Sequence, residues 1–162
     1  MYGDARGYFM ESFSERDFGA ATGLNVKFVQ DNESRSKRGV LRGLHFQSEP
    51  YAQAKLVRVV QGRVLDVAVD IRPGSATFGK YVAVELSAEN HRQLFIPKGF
   101  AHGYVVLEED TVFQYKCDEY YHPESEDGVA WNDPEIGIEW GVEEREIILS
   151  EKDRNRKLLK EL

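Results

Sequence analysis

The feature that most limits the fold of this chain is a succession of short β-rich runs separated by turn signals. Strands of this length and spacing are typical of an all-β sandwich or barrel. Two short helices are also predicted, near the N- and C-termini at 14–21 and 150–159, each opened by a serine N-cap. The predicted strands span residues 8–12, 26–31, 40–46, 54–61, 63–71, 81–86, 92–96, 101–107, 111–117 and 147–149.

Length and composition place the chain among ordinary globular proteins. With 162 residues, 41% hydrophobic and 30% charged, it is expected to form one domain over residues 1–162. No apolar run approaches the roughly 18 residues of a membrane span, and the first residues lack the apolar core of a signal peptide. The single cysteine, Cys117, rules out an internal disulfide, and we expect it to be structural rather than nucleophilic. These features predict a cytoplasmic protein with no membrane partner.

Charge is unevenly distributed along the chain. The net charge is −7, but residues 1–107 carry +3 and residues 108–162 carry −10. A net acidic chain is a poor nucleic-acid binder, because that affinity depends on neutralising phosphates. The middle of the chain is nevertheless basic, with seven Lys and Arg residues between positions 35 and 63. This pattern fits a small anionic ligand, although charge alone favours a solvated basic face.

Two of the four histidines lie in informative contexts. His102 ends a P-x-G-x-x-H segment beginning at Pro97, which in a β-rich chain matches the second half of the cupin barrel signature. The first half normally supplies H-x-H and a later Glu as metal ligands, but here it reads His45-Phe46-Gln47. Two histidines are too few for the usual catalytic metal site, and His102 alone is equally compatible with a structural role. We therefore predict a cupin-type double-stranded β-helix, or jelly roll barrel, with no catalytic metal and no cofactor.

Four side chains, His45 among them, suit acid/base chemistry that needs no metal. The neutral imidazole of His45 is a suitable general base near neutral pH, and Tyr115 offers a phenolic acid with an ordinary pKa of about 10. Arg42 and Lys55 offer positive charge for an oxyanion or a phosphate. A base, an acid and an oxyanion partner are the groups needed for proton abstraction next to a carbonyl.

Two regions carry weaker signals. Asp66 and Asp70 are four positions apart and share one face of a predicted strand. They fit the polar interior of a ligand-holding barrel, although for each alone a solvated, outward-facing carboxylate is the stronger expectation. Residues 118–146 are acidic, aromatic and irregular, and they predict a long ordered surface region.

The chain resembles the dTDP-4-dehydrorhamnose 3,5-epimerase family, the metal-free cupins of nucleotide-sugar pathways. The resemblance extends over nearly the whole chain, through many segments in the same order. These are DARGYFMESF (4–13), FVQDN (28–32), VLRGLHFQ (40–47), AKLV (54–57), IPKGFAHG (96–103), YK (115–116), YY (120–121), WNDP (131–134) and LSEKD (149–153).

The resemblance implies an isomerase that converts dTDP-4-dehydro-6-deoxy-D-glucose to dTDP-4-dehydro-L-rhamnose by epimerisation at C3 and C5, in dTDP-rhamnose and deoxysugar biosynthesis. By position, His45 resembles the family's general base, Asp153 its paired carboxylate and Tyr115 the acid. Lys55 resembles the cation that stabilises the enolate oxygen at C4. The other matched positions line the nucleotide-sugar site: Arg6, Glu11, Gln30, Asn32, Arg42, His102, Tyr121, Glu126 and Lys152.

The resemblance also implies a homodimer in which Arg6 arrives from the partner subunit. Family members usually carry an extra N-terminal strand, often exchanged within the dimer, and this chain is expected to lack it. Three alternatives stay open: a single-site 3- or 5-epimerase of a related nucleotide ketosugar, a non-catalytic nucleotide-sugar-binding cupin, and a metal-dependent cupin oxygenase. His45 and Tyr115 weigh against pure binding, and Gln47 in place of a histidine weighs against the oxygenase.

Overall fold

The chain forms eleven strands and two short helices, and the computed structural model describes residues 1–162. No helix in it has both the length and the apolar character needed to cross a membrane. The strands are β1 (Tyr2–Asp4), β2 (Gly7–Phe9), β3 (Gln30–Ser36), β4 (Leu41–Gln47), β5 (Lys55–Gln61), β6 (Arg63–Asp70), β7 (Tyr81–Ser87), β8 (Gln93–Ile96), β9 (Phe100–Val106), β10 (Thr111–Cys117) and β11 (Glu126–Gly128). The helices are α1 (Glu15–Thr22) and α2 (Glu151–Arg154), and 3-10 turns lie at Pro123–Ser125, Glu144–Glu146 and Leu159–Glu161.

Nine of the strands form two antiparallel sheets, and eight of these, β3 to β10, enclose the barrel. One sheet has the order β3-β10-β5-β8, and the other has the order β11-β4-β9-β6-β7. β1 and β2 form a separate hairpin. Counted from β3 to β10, the eight strands are ordered 1-8-3-6 and 2-7-4-5, which is the strand order of a jelly roll. The prediction of an all-β jelly roll is therefore confirmed.

The five-stranded sheet has apolar side chains buried on both of its faces. One cluster fills the barrel interior between the sheets and includes Val57, Val64, Val106 and Phe113. A second cluster, on the opposite face, includes Val67, Val105, Val129, Trp140 and Leu159. The C-terminal part of the chain therefore forms a third layer against this sheet. Central strands buried on both faces are expected to be nearly continuous apolar runs, as β6 and β9 are.

Seven of the ten predicted strands match the observed ones to within two residues at either end. β2 ends earlier than predicted, at Phe9. β3 lies later than predicted, because residues 30–36 are polar and lack an apolar run, yet they pair along their whole length with β10. The predicted strand 147–149 is wrong, since only a single parallel bridge joins Ile148 to Val40.

The first predicted helix is confirmed as α1. The Oγ of Ser14 accepts a hydrogen bond from the backbone N–H of Asp17, and the helix ends at Gly23, whose φ of 71° is left-handed. Phe18 packs the helix against Phe28 and Phe95, with ring centroids 5.9 and 5.3 Å apart. The helix therefore covers an edge of the four-stranded sheet.

The second predicted helix is wrong beyond Arg154, where α2 ends. Ser150 caps it as predicted, but tertiary hydrogen bonds then hold the chain in an extended path. The carbonyl of Lys157 accepts from the N–H of Ala130 at 2.8 Å, and the N–H of Leu159 donates to Asp133 at 2.7 Å. These contacts outweigh the helical pattern of the local sequence.

Two further expectations are corrected by the burial pattern. Asp66 and Asp70 are 0% and 1% exposed, so neither is a solvated outward carboxylate. Asp70 accepts hydrogen bonds from Arg72, Ser75 and Thr77, which organise the loop after β6. The region 118–146 is not only surface, since it supplies β11 and several core side chains.

Glycines allow β4 and β9 to approach closely beside the site. A Cβ on Gly43 would lie 2.5 Å from the Cα of Gly103, and Gly43 has a φ of 135°. A Cβ on Gly103 would lie 2.8 Å from the carbonyl oxygen of Arg42. The strand register shifts here and places His45 directly opposite His102.

Candidate active site

A cavity of about 570 Å³ opens between the two sheets and is closed on one side by the C-terminal segment 148–153. The five-stranded sheet contributes His45 and His102, and the four-stranded sheet contributes Lys55 and Tyr115. Nine of the thirteen predicted site residues line it: Asn32, Arg42, His45, Lys55, His102, Tyr115, Glu126, Lys152 and Asp153.

His45 and Asp153 form an imidazole–carboxylate pair in this cavity. The Nε2 of His45 lies 2.6 Å from the Oδ1 of Asp153, and Asp153 is itself buried. Burial alone would raise the pKa of Asp153, but the hydrogen bond from His45, the Ser150 hydroxyl and the charge of Arg156 together hold it below its ordinary value. Asp153 therefore stays a carboxylate that fixes the imidazole.

Tyr115 and Lys55 lie on neighbouring strands of the opposite sheet, with the Lys55 Nζ 5.8 Å from the centre of the Tyr115 ring. Burial raises the pKa of Tyr115 to about 12, so the expectation of an ordinary phenol is wrong. Burial also lowers the pKa of Lys55, while the charges of Asp66 and Glu126 act in the opposite direction. Both groups are thus half-buried and partly desolvated at the place where a ligand would lie.

A second imidazole–carboxylate pair lies deeper in the barrel. The Nε2 of His102 is 3.0 Å from the Oδ2 of Asp66, and both side chains are buried. Burial lowers the pKa of His102 and raises that of Asp66, and the contact between them acts against both shifts. His102 is therefore a satisfied histidine that also forms part of the cavity wall.

Charged side chains on β11 and α2 form the rim of the cavity. Glu126 is 2.7 Å from Lys152 and 2.9 Å from Arg156, and it accepts a hydrogen bond from the hydroxyl of Tyr121. Although burial acts to raise its pKa, the hydrogen bond and charge of Lys152 and the hydroxyl of Tyr121 lower the pKa of Glu126 to about 2. Arg42 stands on β4 with its guanidinium donating to the hydroxyl of Ser36.

Four predicted site residues lie outside the cavity lining. Gln30 and Tyr121 meet at its rim, where the backbone N–H of Tyr121 donates to the Gln30 side chain at 3.2 Å. Glu11 lies beside α1, at a separate shallow groove. Arg6 lies on the β1–β2 hairpin, where it pairs with Asp4 and its side chain is 90% exposed.

The cavity also contains residues that the sequence analysis did not select. Tyr104 and Ser34 line it, with their hydroxyl oxygens 2.7 Å apart across the two sheets. Each lies two positions after a predicted site residue, His102 and Asn32, and so shares its face of the strand. Strand alternation could therefore have identified both.

Gln47, which replaces the second histidine of the usual cupin metal motif, has a structural role here. Its amide donates to the carbonyls of Tyr51 and Tyr120 and accepts from the N–H of His122. No group of three or more His, Cys, Asp or Glu side chains is placed to hold a metal ion. Cys117 is buried, and burial raises the pKa of its thiol to about 11.

Fold and site together define a class: a cupin-type enzyme equipped for acid/base proton transfer. The family model for dTDP-4-dehydrorhamnose 3,5-epimerase matches residues 1–161. The dTDP-4-dehydrorhamnose 3,5-epimerase of Escherichia coli K12 is 56% identical over 162 residues, covering 100% of this chain and 87% of that protein. The chain therefore belongs to the dTDP-4-dehydrorhamnose 3,5-epimerase family, whose members are isomerases.

Solved structures agree with this assignment. The dTDP-6-deoxy-D-glucose-3,5-epimerase of Legionella pneumophila, in complex with dTDP-4-keto-L-rhamnose, has a TM-score of 0.95 and 55% identity, covering 98% of this chain and 84% of that chain. A 3'-monoepimerase from Streptomyces bikiniensis, in complex with dTDP-quinovose, has a TM-score of 0.91 and 35% identity. The match covers 98% of this chain and 80% of that chain. The cupin-type fold is confirmed.

Proposed function

We propose that this chain epimerises dTDP-4-dehydro-6-deoxy-D-glucose at C3 and C5 to give dTDP-4-dehydro-L-rhamnose. The observation that carries the proposal is the single cavity that holds the His45–Asp153 pair, Tyr115 and Lys55. The similarity to the Legionella enzyme, crystallised with dTDP-4-keto-L-rhamnose, supports this substrate class. This chain is 55% identical to the Legionella 3,5-epimerase but 35% identical to the 3'-monoepimerase, and this difference favours reaction at both carbons.

His45 is the proposed base. The C4 ketone acidifies the C–H bonds at C3 and C5, so a neutral imidazole can remove either proton and leave an enolate. Because Nε2 of His45 is engaged by Asp153, Nδ1 is the nitrogen free to accept the proton. The carboxylate of Asp153 then stabilises the imidazolium that forms.

Lys55 and Tyr115 are proposed to complete the reaction. The ammonium of Lys55 stabilises the enolate oxygen, and one such preorganised donor contributes about 3 kcal/mol to the transition state. Tyr115 stands on the other sheet from His45, so it can deliver a proton to the opposite face of the sugar. A phenol with a pKa of about 12 stays protonated at neutral pH and can serve as this donor.

The basic groups at the rim are proposed to bind the nucleotide part of the substrate. Arg42 and Lys152 line the cavity, and both side chains reach its solvent side. Pyrophosphate carries the negative charge that guanidinium and ammonium groups recognise. Gln30, Asn32 and Tyr121 occupy the adjoining rim and surface.

A homodimer and a cytoplasmic location are further proposals. The β1–β2 hairpin exposes Tyr2 and Phe9 at 80% and 72%, and Arg6 beside them does not reach the cavity of its own chain. Exposed apolar groups of this kind suit burial against a second subunit, to whose site Arg6 would then belong. A buried free thiol at Cys117 is compatible with a reducing compartment.

The test is solvent exchange in D₂O, with deuterium at C3 and C5 of dTDP-4-dehydro-6-deoxy-D-glucose followed by NMR. We expect label at both carbons with wild type and at neither with His45→Ala. A matched control is His91→Asn, which alters a histidine outside the cavity and should exchange like wild type.

Each other outcome assigns a different function. Label at one carbon would move the chain to the single-site epimerases. Binding without exchange would indicate a nucleotide-sugar-binding protein. Exchange by His45→Ala at the wild-type rate would overturn the assignment of the base.

A further inference from the structure

Arg156 lies behind the His45–Asp153 pair and faces three carboxylates at once. Its Nη2 is 2.9 Å from Glu126, its Nη1 is 3.7 Å from Asp127, and its Nε is 4.0 Å from the Oδ1 of Asp153. Two of these acids come from β11 and the third from α2. The guanidinium therefore joins the rim of the cavity to the carboxylate that holds His45.

The surroundings of Arg156 are built to receive a buried charge. Its side chain is only 9% exposed, and its Nε is buried without a hydrogen-bond partner. A Cβ on Gly128 would lie 2.8 Å from that Nε, so the absence of a side chain at 128 leaves room for the guanidinium. At 4.0 Å the Nε and Asp153 are too far apart to hydrogen-bond, and their interaction is one of charge.

Within the cluster of side chains that contact Arg156 or its acidic partners, the charges balance when His45 is neutral. The three carboxylates are paired with three permanent cations, Lys152, Arg156 and Lys157. A proton on His45 adds an uncompensated positive charge to this cluster. Buried like charges disfavour one another, so Arg156 opposes protonation of the pair.

We propose that Arg156 is a positioning residue that keeps the His45–Asp153 pair in its proton-accepting state. It acts through Asp153 and Glu126 and does not touch the cavity itself. Because of this guanidinium, the pair accepts a proton at lower pH than it would without it. The pH range in which His45 can act as a base is therefore wider. The kinetic part of this inference rests on the proposed function, whereas the titration of the pair does not.

Other charged groups also face the pair, and all remain in an Arg156 variant. Glu126 faces it from β11, Lys152 from α2 and His102 from β9, Lys55 lies across the cavity, and Asp127 contacts Arg156 and Lys157. Removing the guanidinium of Arg156 makes the net charge around the His45–Asp153 pair one unit more negative. Both the lost repulsion and the added negative charge favour a proton on His45.

The experiment is an NMR titration of the His45 imidazole, with its resonance assigned by comparison with His45→Ala. We expect the titration midpoint to move to higher pH by about one unit in R156Q. R156K keeps the charge and should return the midpoint close to that of wild type. Glutamine at position 156 retains hydrogen-bond donors for Glu126, and thermal unfolding verifies that each variant is folded.

K157Q is the matched control, with the same loss of charge one position along the chain. Lys157 pairs with Asp127 alone, at 2.6 Å, and its side chain is 40% exposed, so solvent screens it. The titration midpoint of His45 in K157Q should stay within about 0.2 pH units of the wild-type value.

The outcomes separate this inference from the proposed function. A higher midpoint in R156Q with little change in K157Q supports the role of Arg156, even where wild type exchanges no substrate proton. An unchanged midpoint, equal shifts in both variants, or a lower midpoint caused by Asp153 leaving His45 would each overturn it. Where wild type is active, the acid limb of kcat/KM should move upward together with the NMR midpoint.

Discussion

At the scale of single residues, the proposed chemistry depends on which groups hold a proton. Burial raises the pKa of Tyr115 to about 12, so the phenol keeps its proton throughout the neutral range. Asp153 has a lowered pKa and remains a carboxylate. The proposed acid and the partner of the proposed base therefore begin each cycle in the states that the reaction requires.

Replacing Tyr115 by Phe should separate proton exchange from inversion. His45 would still remove and return a proton on its own face, but the opposite face would lack a donor. We expect epimer formation to fall about 10²- to 10⁴-fold while deuterium still enters the substrate with retained configuration. NMR of the recovered sugar in D₂O measures both.

Tyr104→Phe is the matched control, because it removes a second phenol from the same cavity. That hydroxyl is already engaged by Ser34, so its loss should reduce turnover far less. If Tyr115→Phe forms product as fast as Tyr104→Phe does, Tyr115 is not the proton donor.

Some of the site could be read from residue chemistry, and some could not. His45, Lys55 and Tyr115 stand on predicted strands and carry groups with evident uses. Asp153 follows His45 by 108 positions, and no periodicity or spacing links the two, so only family resemblance pointed to it. Arg156 was not selected because its role depends on three acids that meet only in the folded chain.

At the scale of elements, the loop after β6 is organised by one buried carboxylate. Asp70 accepts hydrogen bonds from the side chains of Arg72, Ser75 and Thr77. The bonds from Arg72 hold the pKa of Asp70 far below its usual range, against the effect of burial, and those from Ser75 and Thr77 add to them. Arg72 also lies 4.8 Å from the centre of the Phe100 ring, so the loop braces the start of β9.

Asp70→Asn should destabilise the fold by about 2–3 kcal/mol at pH 7, because hydrogen bonds to a charged acceptor are lost. The folded pKa of Asp70 is depressed, so its contribution is present above the unfolded value of about 4 and is lost as pH falls towards the folded value. Urea unfolding at pH 7 and pH 3 should therefore show a smaller gap between variant and wild type at pH 3.

Asp110→Asn provides the comparison for this pH dependence. Asp110 pairs with Arg35 at 2.8 Å, but both side chains are more than half exposed. Such a pair contributes about 0–1 kcal/mol. A gap for Asp70→Asn that is equally small, or that widens at pH 3, would contradict the role assigned to Asp70.

The elements themselves were predicted well where local pattern and tertiary pairing agree. β6 and β9 are apolar runs bounded by turns, and both were located to within one residue at either end. The strand predicted at 26–31 lies too early in the sequence, because the polar sequence of β3 carries no β signal although β10 pairs with all of it. Residues 155–159 look helical, but hydrogen bonds that link residues 157 and 159 to residues 130 and 133 keep 156–158 out of the helix.

At the scale of the whole molecule, the proposed dimer has a distinctive signature in mixtures. If Arg6 serves the partner's cavity, a site built from two damaged chains can still be complete. Arg6→Ala and His45→Ala should each be nearly inactive. Mixing them under conditions of subunit exchange should restore about a quarter of wild-type activity, since half the dimers are mixed and each has one intact site.

Refolding each variant alone and combining them afterwards without exchange is the control, and it should restore nothing. Sedimentation of wild type gives the oligomeric state directly. A monomer, or a mixture that stays inactive after exchange, would place Arg6 outside the partner's site.

His45 and Asp153 come from distant parts of the chain. Catalytic turnover therefore reports whether the C-terminal segment has docked as well as whether the barrel has folded. The pairing of β4 with β9 and of β5 with β10 involves no residue beyond position 117. A molecule that has formed these ladders but has not docked residues 148–153 shows native-like β-structure by circular dichroism, yet its histidine has no partner. Spectroscopy would count such a molecule as refolded, and an activity assay would not.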